Sequence, residues 1–254
     1  MRHALDFNQD QWYEQLAKAN QMETLIKDQW SALGDFDRKH AIKLVIDEWG
    51  SWHPAGTEIN PRHLYEQMGT LRDALVAALT LDTFNRHADK IDMANIAQLV
   101  NNLHSLFLAD GDKLVATPTY HVYTLYRPHQ KAKAVRLAVE SPEVSFQAGG
   151  RAHQLFRLAG SASRMGEKQL TLTLVHSHAT EPAEVVIRPK GAAIGTVKWT
   201  VLTHEQLNAS NDFEHPNTVV PKPREVSLAG RGAQAELSCV LPPACVSRFD
   251  IGLA

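Results

Sequence analysis

The sequence has little cysteine, no excess of either charge and no long apolar run. Cys239 and Cys245 are the only cysteines among 254 residues, and a disulfide between them would close a very small loop. Two buried, reduced thiols are therefore expected, in a reducing compartment. The formal net charge of −2 gives no basic surface for nucleic acid or an anionic membrane. No apolar stretch approaches the roughly 20 residues of a transmembrane helix, and the N-terminus lacks a signal-peptide pattern, so we expect a cytoplasmic protein.

Helical spacing of apolar residues alternates with short apolar runs over residues 1–130. The helical patterns run from Asn8 to Leu33, from Asn60-Pro61 to Phe84, from Leu99 to Phe107 and from Thr117-Pro118 to Tyr126. The run AIKLVID (residues 41–47) predicts a parallel strand that is covered on both faces, and IDMANIAQ (residues 91–98) is a second candidate strand. This alternation of strand and helix predicts an α/β architecture.

The pattern changes near Pro128 to short segments of alternating polarity. QLTLTLVHSH, TVKWTVLT and AELSCVLP are examples, and Gly, Pro, Asn and Ser separate them. Strands at this spacing predict an antiparallel β-sandwich or jelly roll. The sequence therefore predicts an α/β domain over residues 1–130 and an all-β domain over residues 131–254.

The segment with candidate catalytic residues is IDEWGSW, residues 46–52. Two acidic residues end an apolar strand there, and a loop that contains Gly and Trp follows. Barrel enzymes place catalytic groups where strands end and loops begin, and a glycosidase needs one carboxylate as nucleophile or base. Asp47 and Glu48 cannot both serve, because neighbours in a strand point to opposite faces. Alone, this pattern is equally compatible with a helix cap or a solvated loop acid.

A pair of histidines, His176 and His178, shares one face of a predicted strand. Such spacing is compatible with two zinc ligands, but no third ligand is evident nearby. We therefore interpret both as surface histidines.

Several long motifs, in order, resemble family 51 glycoside hydrolases, the α-L-arabinofuranosidases. KLVIDEWGSWH resembles the nucleophile motif on the seventh barrel strand of that family. The similarity continues through INPRHLYEQMGTLRDALVAALTLDTFNRHADKIDMANIAQLVNNLHSLFL and ATPTYHVYTLYRPHQ, and NDFEHPNTVVP and LPPACVSRFDI resemble segments near the family's C-terminus. The resemblance implies the last two βα units of an incomplete (β/α)8 TIM barrel, followed by a β-sandwich.

The resemblance also implies site residues and substrates. Glu48 matches the catalytic nucleophile, Gln98 a glutamine that contacts arabinofuranose, and Trp52 an aromatic residue beside that pocket. The implied activity is retaining, exo-acting release of terminal L-arabinofuranose from arabinan or arabinoxylan oligosaccharides. No metal or organic cofactor is implied, and the full-length enzyme is expected to be a homo-oligomer.

The chain departs from the family in one respect that concerns catalysis. The acid/base glutamate of the family follows an asparagine, and no Asn-Glu pair occurs in this sequence. An eight-stranded barrel takes about 250 residues, whereas about half that number precede the predicted sandwich here. We therefore expect a fragment or truncated gene product that lacks its acid/base and is inactive alone.

Two other functions remain open from the residues. The first is a non-catalytic carbohydrate-binding or interaction module, which would need an aromatic platform on the sandwich, where Trp199 is the only tryptophan. The second is a different barrel glycosidase, for which no suitable acid carboxylate is found.

Overall fold

In the computed structural model, which describes residues 4–229 and 236–254, the chain begins with two consecutive helices. Helix α1 (Gln9–Ala19) and helix α2 (Gln21–Gly34) replace the single helix predicted from Asn8 to Leu33. They meet at Asn20, which keeps right-handed helical angles of φ −70° and ψ −15°. The apolar spacing continues across the junction for that reason, so periodicity alone could not reveal the break. None of the helices in the described residues is long and apolar enough to cross a membrane.

A parallel strand pair joined by a helix follows. Strand β1 (Leu44–Trp49) pairs in parallel with strand β2 (Ile91–Ile96), and helix α3 (Leu71–Arg86) lies between them in the chain. Both strands occur where short apolar runs predict them, but the expected cover on both faces is wrong for the described residues, because Val45 of β1 is 51% exposed. Helix α3 is buried over nearly its whole length, because it packs between α1, the last helix and the strands that follow.

One predicted helix starts too early, and another predicted helix is absent from the described residues. Helix α3 begins at Leu71 rather than at Pro61, because Thr70 and Asp73 form its capping box, whereas Asn60 closes a turn onto the Arg62 amide. Residues 99–107 are not helical, because Asn101 and Leu103 adopt positive φ angles of 57° and 52° that interrupt any helix.

The segment before the sandwich ends in a hairpin and a helix. The hairpin consists of β3 (Phe107–Asp110) and β4 (Lys113–Ala116), and helix α4 (Pro118–Tyr126) starts at the predicted Thr117-Pro118. The Thr117 hydroxyl caps this helix by accepting from the Tyr120 amide. A 3-10 turn (Arg127–His129) leads into the strands.

The rest of the described chain is β-structure in antiparallel sheets. The strands are β5 (Lys133–Val135), β6 (Glu143–Ala148), β7 (Arg151–Phe156), β8 (Leu158–Met165), β9 (Gln169–His176), β10 (Ala183–Ile187), β11 (Ile194–Leu202), β12 (Lys222–Arg224), β13 (Ser227–Ala229), β14 (Glu236–Leu241) and β15 (Cys245–Leu253). Within the described residues one sheet has the order β12-β11-β15-β9-β8-β5, a second has the order β10-β14-β13, and β6 pairs with β7. Their apolar faces enclose Leu237, Phe249 and Ile251, as expected of a sandwich.

The helical layer and the sandwich share a buried polar contact. Asp82 of α3 accepts hydrogen bonds from the Ser161 and Thr173 hydroxyls, both at 2.7 Å from its Oδ1. Burial raises the pKa of Asp82 to about 6, although the two hydroxyl groups oppose the shift. His129 lies in the same cluster, where its Nδ1 is 2.7 Å from the Ser163 hydroxyl.

The interpretation of His176 and His178 as surface histidines is wrong. Both are buried. The Tyr13 ring of helix α1 lies 6.2 Å from the His178 ring, the Tyr13 hydroxyl accepts from the Ala179 amide, and the His176 ring stacks on that of His178 at 6.4 Å. The Nδ1 atom of His176 bonds the Pro242 carbonyl at 2.9 Å, and that of His178 accepts from the Glu181 amide at 2.9 Å. These bonds occupy one nitrogen of each ring, whereas the buried Nε2 of His176 has no hydrogen-bond partner among the described residues.

Both cysteines are free thiols. Cys245 is buried and Cys239 is half-buried, and burial raises their pKa values to about 12 and about 11, respectively. At neutral pH both are therefore protonated thiols with little nucleophilic character.

Candidate active site

The ends of the two parallel strands bring Glu48 and Gln98 together. Strand β1 pairs with β2 through Ile46 opposite Ala94 and Trp49 opposite Ile96, so the carboxyl ends of both strands meet at one edge. There the Gln98 Nε2 donates a hydrogen bond to Glu48 Oε1 at 3.2 Å. Both side chains are exposed. A carboxylate and an amide are thus presented side by side to solvent.

The residue after Glu48 anchors the strand end in the core. Trp49 is buried, meets the Phe84 ring edge-on at a centroid distance of 5.3 Å, and stacks on Tyr123 at 6.5 Å. Alternation along a strand points Glu48 away from that core. The packing of Trp49 therefore limits where the neighbouring carboxylate can move.

The loop after β1 turns sharply at Gly50, whose φ is +145°. A Cβ added at Gly50 would lie 2.8 Å from the Cβ of His104, closer than real side chains approach. The next amide, that of Ser51, donates to His104 Nδ1 at 3.0 Å. Only glycine combines this backbone conformation with so close a neighbour.

Two buried polar residues hold the loop further along. The Gln67 side chain accepts from the His53 amide at 3.0 Å and donates to the His53 carbonyl at 2.7 Å. The His53 ring Nε2 lies 3.2 Å from Asp73 Oδ1, while Asp73 Oδ2 accepts from the Thr70 amide and hydroxyl. Burial by itself would raise the pKa of Asp73, but His53 and Arg72 outweigh it and hold that pKa well below its ordinary value. The ionised Asp73 carboxylate thus orients the His53 ring through its contact with Nε2.

Trp52 lies between the buried residues Ser51 and His53 and is itself half-buried. It occupies the loop that follows Glu48, as the sequence predicts, but it does not take part in the hydrogen bond between Glu48 and Gln98. Sequence reasoning missed Gln67, Asp73 and His104. The Thr70-x-x-Asp73 capping pattern was the one available signal, and it would have shortened the predicted helix.

A strand-end carboxylate beside an amide, carried by a parallel βαβ unit that is joined to an antiparallel sandwich, fits the class of glycoside hydrolases. The chain belongs to the α-L-arabinofuranosidase C-terminal domain family, whose model matches residues 47–244. This confirms the resemblance to the C-terminal part of the family 51 arabinofuranosidases.

Individual relatives agree with that assignment. An intracellular exo-α-L-arabinofuranosidase of Bacteroides ovatus is 33% identical over 89% of this chain and 43% of that protein. The intracellular exo-α-(1→5)-L-arabinofuranosidase 1 of Bacillus subtilis is 24% identical over 79% of this chain and 41% of that protein. The chain therefore spans less than half the length of these relatives.

Solved structures show the same fold. The family 51 arabinofuranosidase of Xanthomonas axonopodis pv. citri matches with a TM-score of 0.90 and 30% identity, over 98% of this chain and 49% of that one. An α-L-arabinofuranosidase from Thermotoga maritima, solved as an arabinose complex, matches with a TM-score of 0.78 and 22% identity, over 95% of this chain and 50% of that one.

Proposed function

We propose that the chain supplies the nucleophile part of the active site of a retaining exo-α-L-arabinofuranosidase, with terminal L-arabinofuranose of arabinan or arabinoxylan oligosaccharides as its substrate. The observation that carries the proposal is the hydrogen bond between Glu48 and Gln98 at the ends of neighbouring parallel strands. The relatives' names and the two reduced thiols support a cytoplasmic location.

In the proposed reaction Glu48 attacks the anomeric carbon. Gln98 holds Oε1, so Oε2 is the oxygen that forms the bond to the sugar. The second N–H of the Gln98 amide is then free to bind a sugar hydroxyl, and Trp52 borders the pocket. Water hydrolyses the glycosyl-enzyme, and two displacements at one carbon leave the configuration retained.

The acid/base must come from outside this chain. A retaining enzyme places its second carboxyl about 5 to 5.5 Å from the nucleophile, where it protonates the leaving oxygen. No Asn-Glu pair occurs in the sequence, and the relatives are more than twice as long as the part that this chain matches. We therefore propose that the isolated chain is inactive.

Residues 1–130 are proposed to be the last two βα units of a (β/α)8 barrel, and residues 131–254 a C-terminal β-sandwich domain. Exposed apolar residues on the parallel pair support the first part. Val45 and Met93 stand opposite each other in register and remain 51% and 52% exposed. Further barrel strands and side chains would cover such surface.

A non-catalytic carbohydrate-binding module is less well supported. Trp199 is only 5% exposed and stacks on Phe249 at 5.4 Å in the sandwich core. It cannot offer its face to a sugar ring from there.

A chimera tests the proposal. The part of the Xanthomonas enzyme that this chain does not match is fused to the 254 residues, and release of an aryl leaving group from an aryl α-L-arabinofuranoside is measured. We expect turnover by the chimera and none by the isolated chain. Glu48→Gln should abolish turnover, whereas Asp47→Asn, the neighbouring exposed carboxylate, serves as the matched control and should retain it. Turnover by the isolated chain, or by the Glu48→Gln chimera, would contradict the proposal.

A further inference from the structure

His104 contacts the ends of both strands that carry the candidate site. Its ring Nδ1 accepts from the Ser51 amide at 3.0 Å, in the loop after β1. Its own amide donates to the Ala97 carbonyl at 2.6 Å, just before Gln98. The Ala97 amide in turn donates to the Trp49 carbonyl at 2.9 Å. One buried residue, 2% exposed, therefore connects the residues that adjoin Glu48 and Gln98.

The hydrogen bonds of His104 define its tautomer. A backbone amide can only donate, so Nδ1 must carry a free lone pair. The single ring proton of a neutral histidine is then on Nε2, which lies 2.9 Å from the hydroxyl of the buried Thr119 and donates to it. A proton on Nδ1 would face the Ser51 amide proton and break the bond between loop and ring.

The surroundings favour the neutral ring. The pKa of His104 is lowered to about 4, chiefly by burial; the Asp73 carboxylate opposes this shift, and the nearby His53 adds to it. Gly50 packs against the imidazole on one side, and the Trp49 ring meets it edge-on at 6.5 Å. The ring thus fills the space beneath the loop without a charge.

We propose that His104 is a positioning residue: its neutral Nε2–H tautomer fixes the loop after β1 to the end of β2 and so holds the Glu48 carboxylate against the Gln98 amide. The positional role follows from the contacts of this chain alone, and its consequence for catalysis rests on the proposed function.

Two half-isosteric variants separate positioning from general packing. In His104→Asn the amide oxygen occupies the place of Nδ1 and keeps an acceptor for Ser51, while the contact with Thr119 is lost. In His104→Gln the terminal amide reaches toward Thr119, but no acceptor remains at the place of Nδ1. If His104 only filled space, His104→Gln, with the larger side chain, should preserve the loop after β1 better. If His104 positions that loop through Nδ1, His104→Asn should preserve it better.

The measurement is amide hydrogen exchange and long-range imidazole ¹⁵N–¹H correlation by NMR on the labelled 254-residue chain. The wild type should show a pyridine-type Nδ1 and a protonated Nε2 at His104. Exchange at Ser51 should remain slow in His104→Asn and become about tenfold faster in His104→Gln, the loss expected for one hydrogen bond. The Gln98 side-chain amide signals should move in the Gln variant only, and the Leu174 amide in the sandwich serves as the control.

A protonated Nδ1 in the wild type, or equal exchange at Ser51 in both variants, would overturn the proposal. The tautomer measurement needs no variant, so it decides the question even if a substitution prevents folding. No sugar enters these measurements, so failure of the glycosidase proposal would leave their outcome unchanged and would be recognised separately in the chimera.

Discussion

Gln98 donates its side-chain amide to the Glu48 carboxylate across 3.2 Å, although 50 positions separate the two residues in the chain. Parallel pairing of β1 and β2 makes this contact possible, because it brings both carboxyl ends to the same edge. The contact also gives Gln98 two tasks in the proposed enzyme, to hold one carboxylate oxygen and to bind a sugar hydroxyl.

Gln98→Ala should therefore weaken catalysis without removing it. A hydrogen bond to a charged group contributes about 1.5 to 3 kcal/mol, so kcat/KM of the chimera should fall by roughly 10- to 100-fold. Leu99→Ala, at the adjacent and 62% exposed position, is the control and should have little effect. Equal losses in the two variants would show that the Gln98 amide has no specific role.

Gly50→Ala should destabilise the loop that follows Glu48. The positive φ and the clash with His104 together predict a cost on the order of 1 to 3 kcal/mol in urea unfolding. Gly69→Ala is the control, because a Cβ there would meet Thr117 at an ordinary 3.7 Å. A loss for Gly50→Ala no larger than that of the control would refute the close approach to His104.

Asp82 should make stability depend on pH in a defined direction. Its folded pKa of about 6 lies above the ordinary value of 3.8, so the folded state binds a proton more readily. The stability of the wild type relative to Asp82→Asn should be greatest below about pH 4 and should fall as pH rises through 6, by about 2 to 3 kcal/mol in total. Comparing the two proteins cancels the contributions of buried histidines. Urea unfolding at pH 4, 5, 6 and 7 measures the difference, and a constant difference would contradict the buried, proton-binding carboxyl.

Part of the fold could be predicted because its signals are local. Helix α4 has its Thr-Pro start, and the antiparallel strands show period-two alternation. The break at Asn20 could not be predicted, because Asn20 keeps helical backbone angles and the apolar spacing continues through it. The turns at Asn101 and Leu103 could not be predicted either, because the apolar spacing continues there although φ becomes positive. Burial of His178 likewise depends on a distant helix, α1, whose Tyr13 ring lies 6.2 Å from the His178 ring.

The candidate site likewise contains residues that the sequence reveals and residues whose roles depend on contacts between distant segments. Glu48 could be noticed as an acid at the end of an apolar run, whereas its role and that of Gln98 came from the family resemblance; parallel strands place the ends of both runs together. His104 could not, because its role depends on accepting from Ser51 and donating to Thr119, contacts that join three segments of the chain. Gln67 was likewise hidden within a stretch predicted as helix, and its bonds to His53 exist only because that stretch forms turns.

The most direct test of the central claim is the anomeric configuration of an azide product. In the chimera, Glu48→Gly removes the nucleophile and leaves a space that azide can enter. Azide should then displace the aryl group from the face that Glu48 occupies and give β-L-arabinofuranosyl azide, inverted relative to the α-configured substrate. An α-configured azide would show that Glu48 acts as the acid/base instead, and undiminished hydrolysis without azide would show that Glu48 is not catalytic.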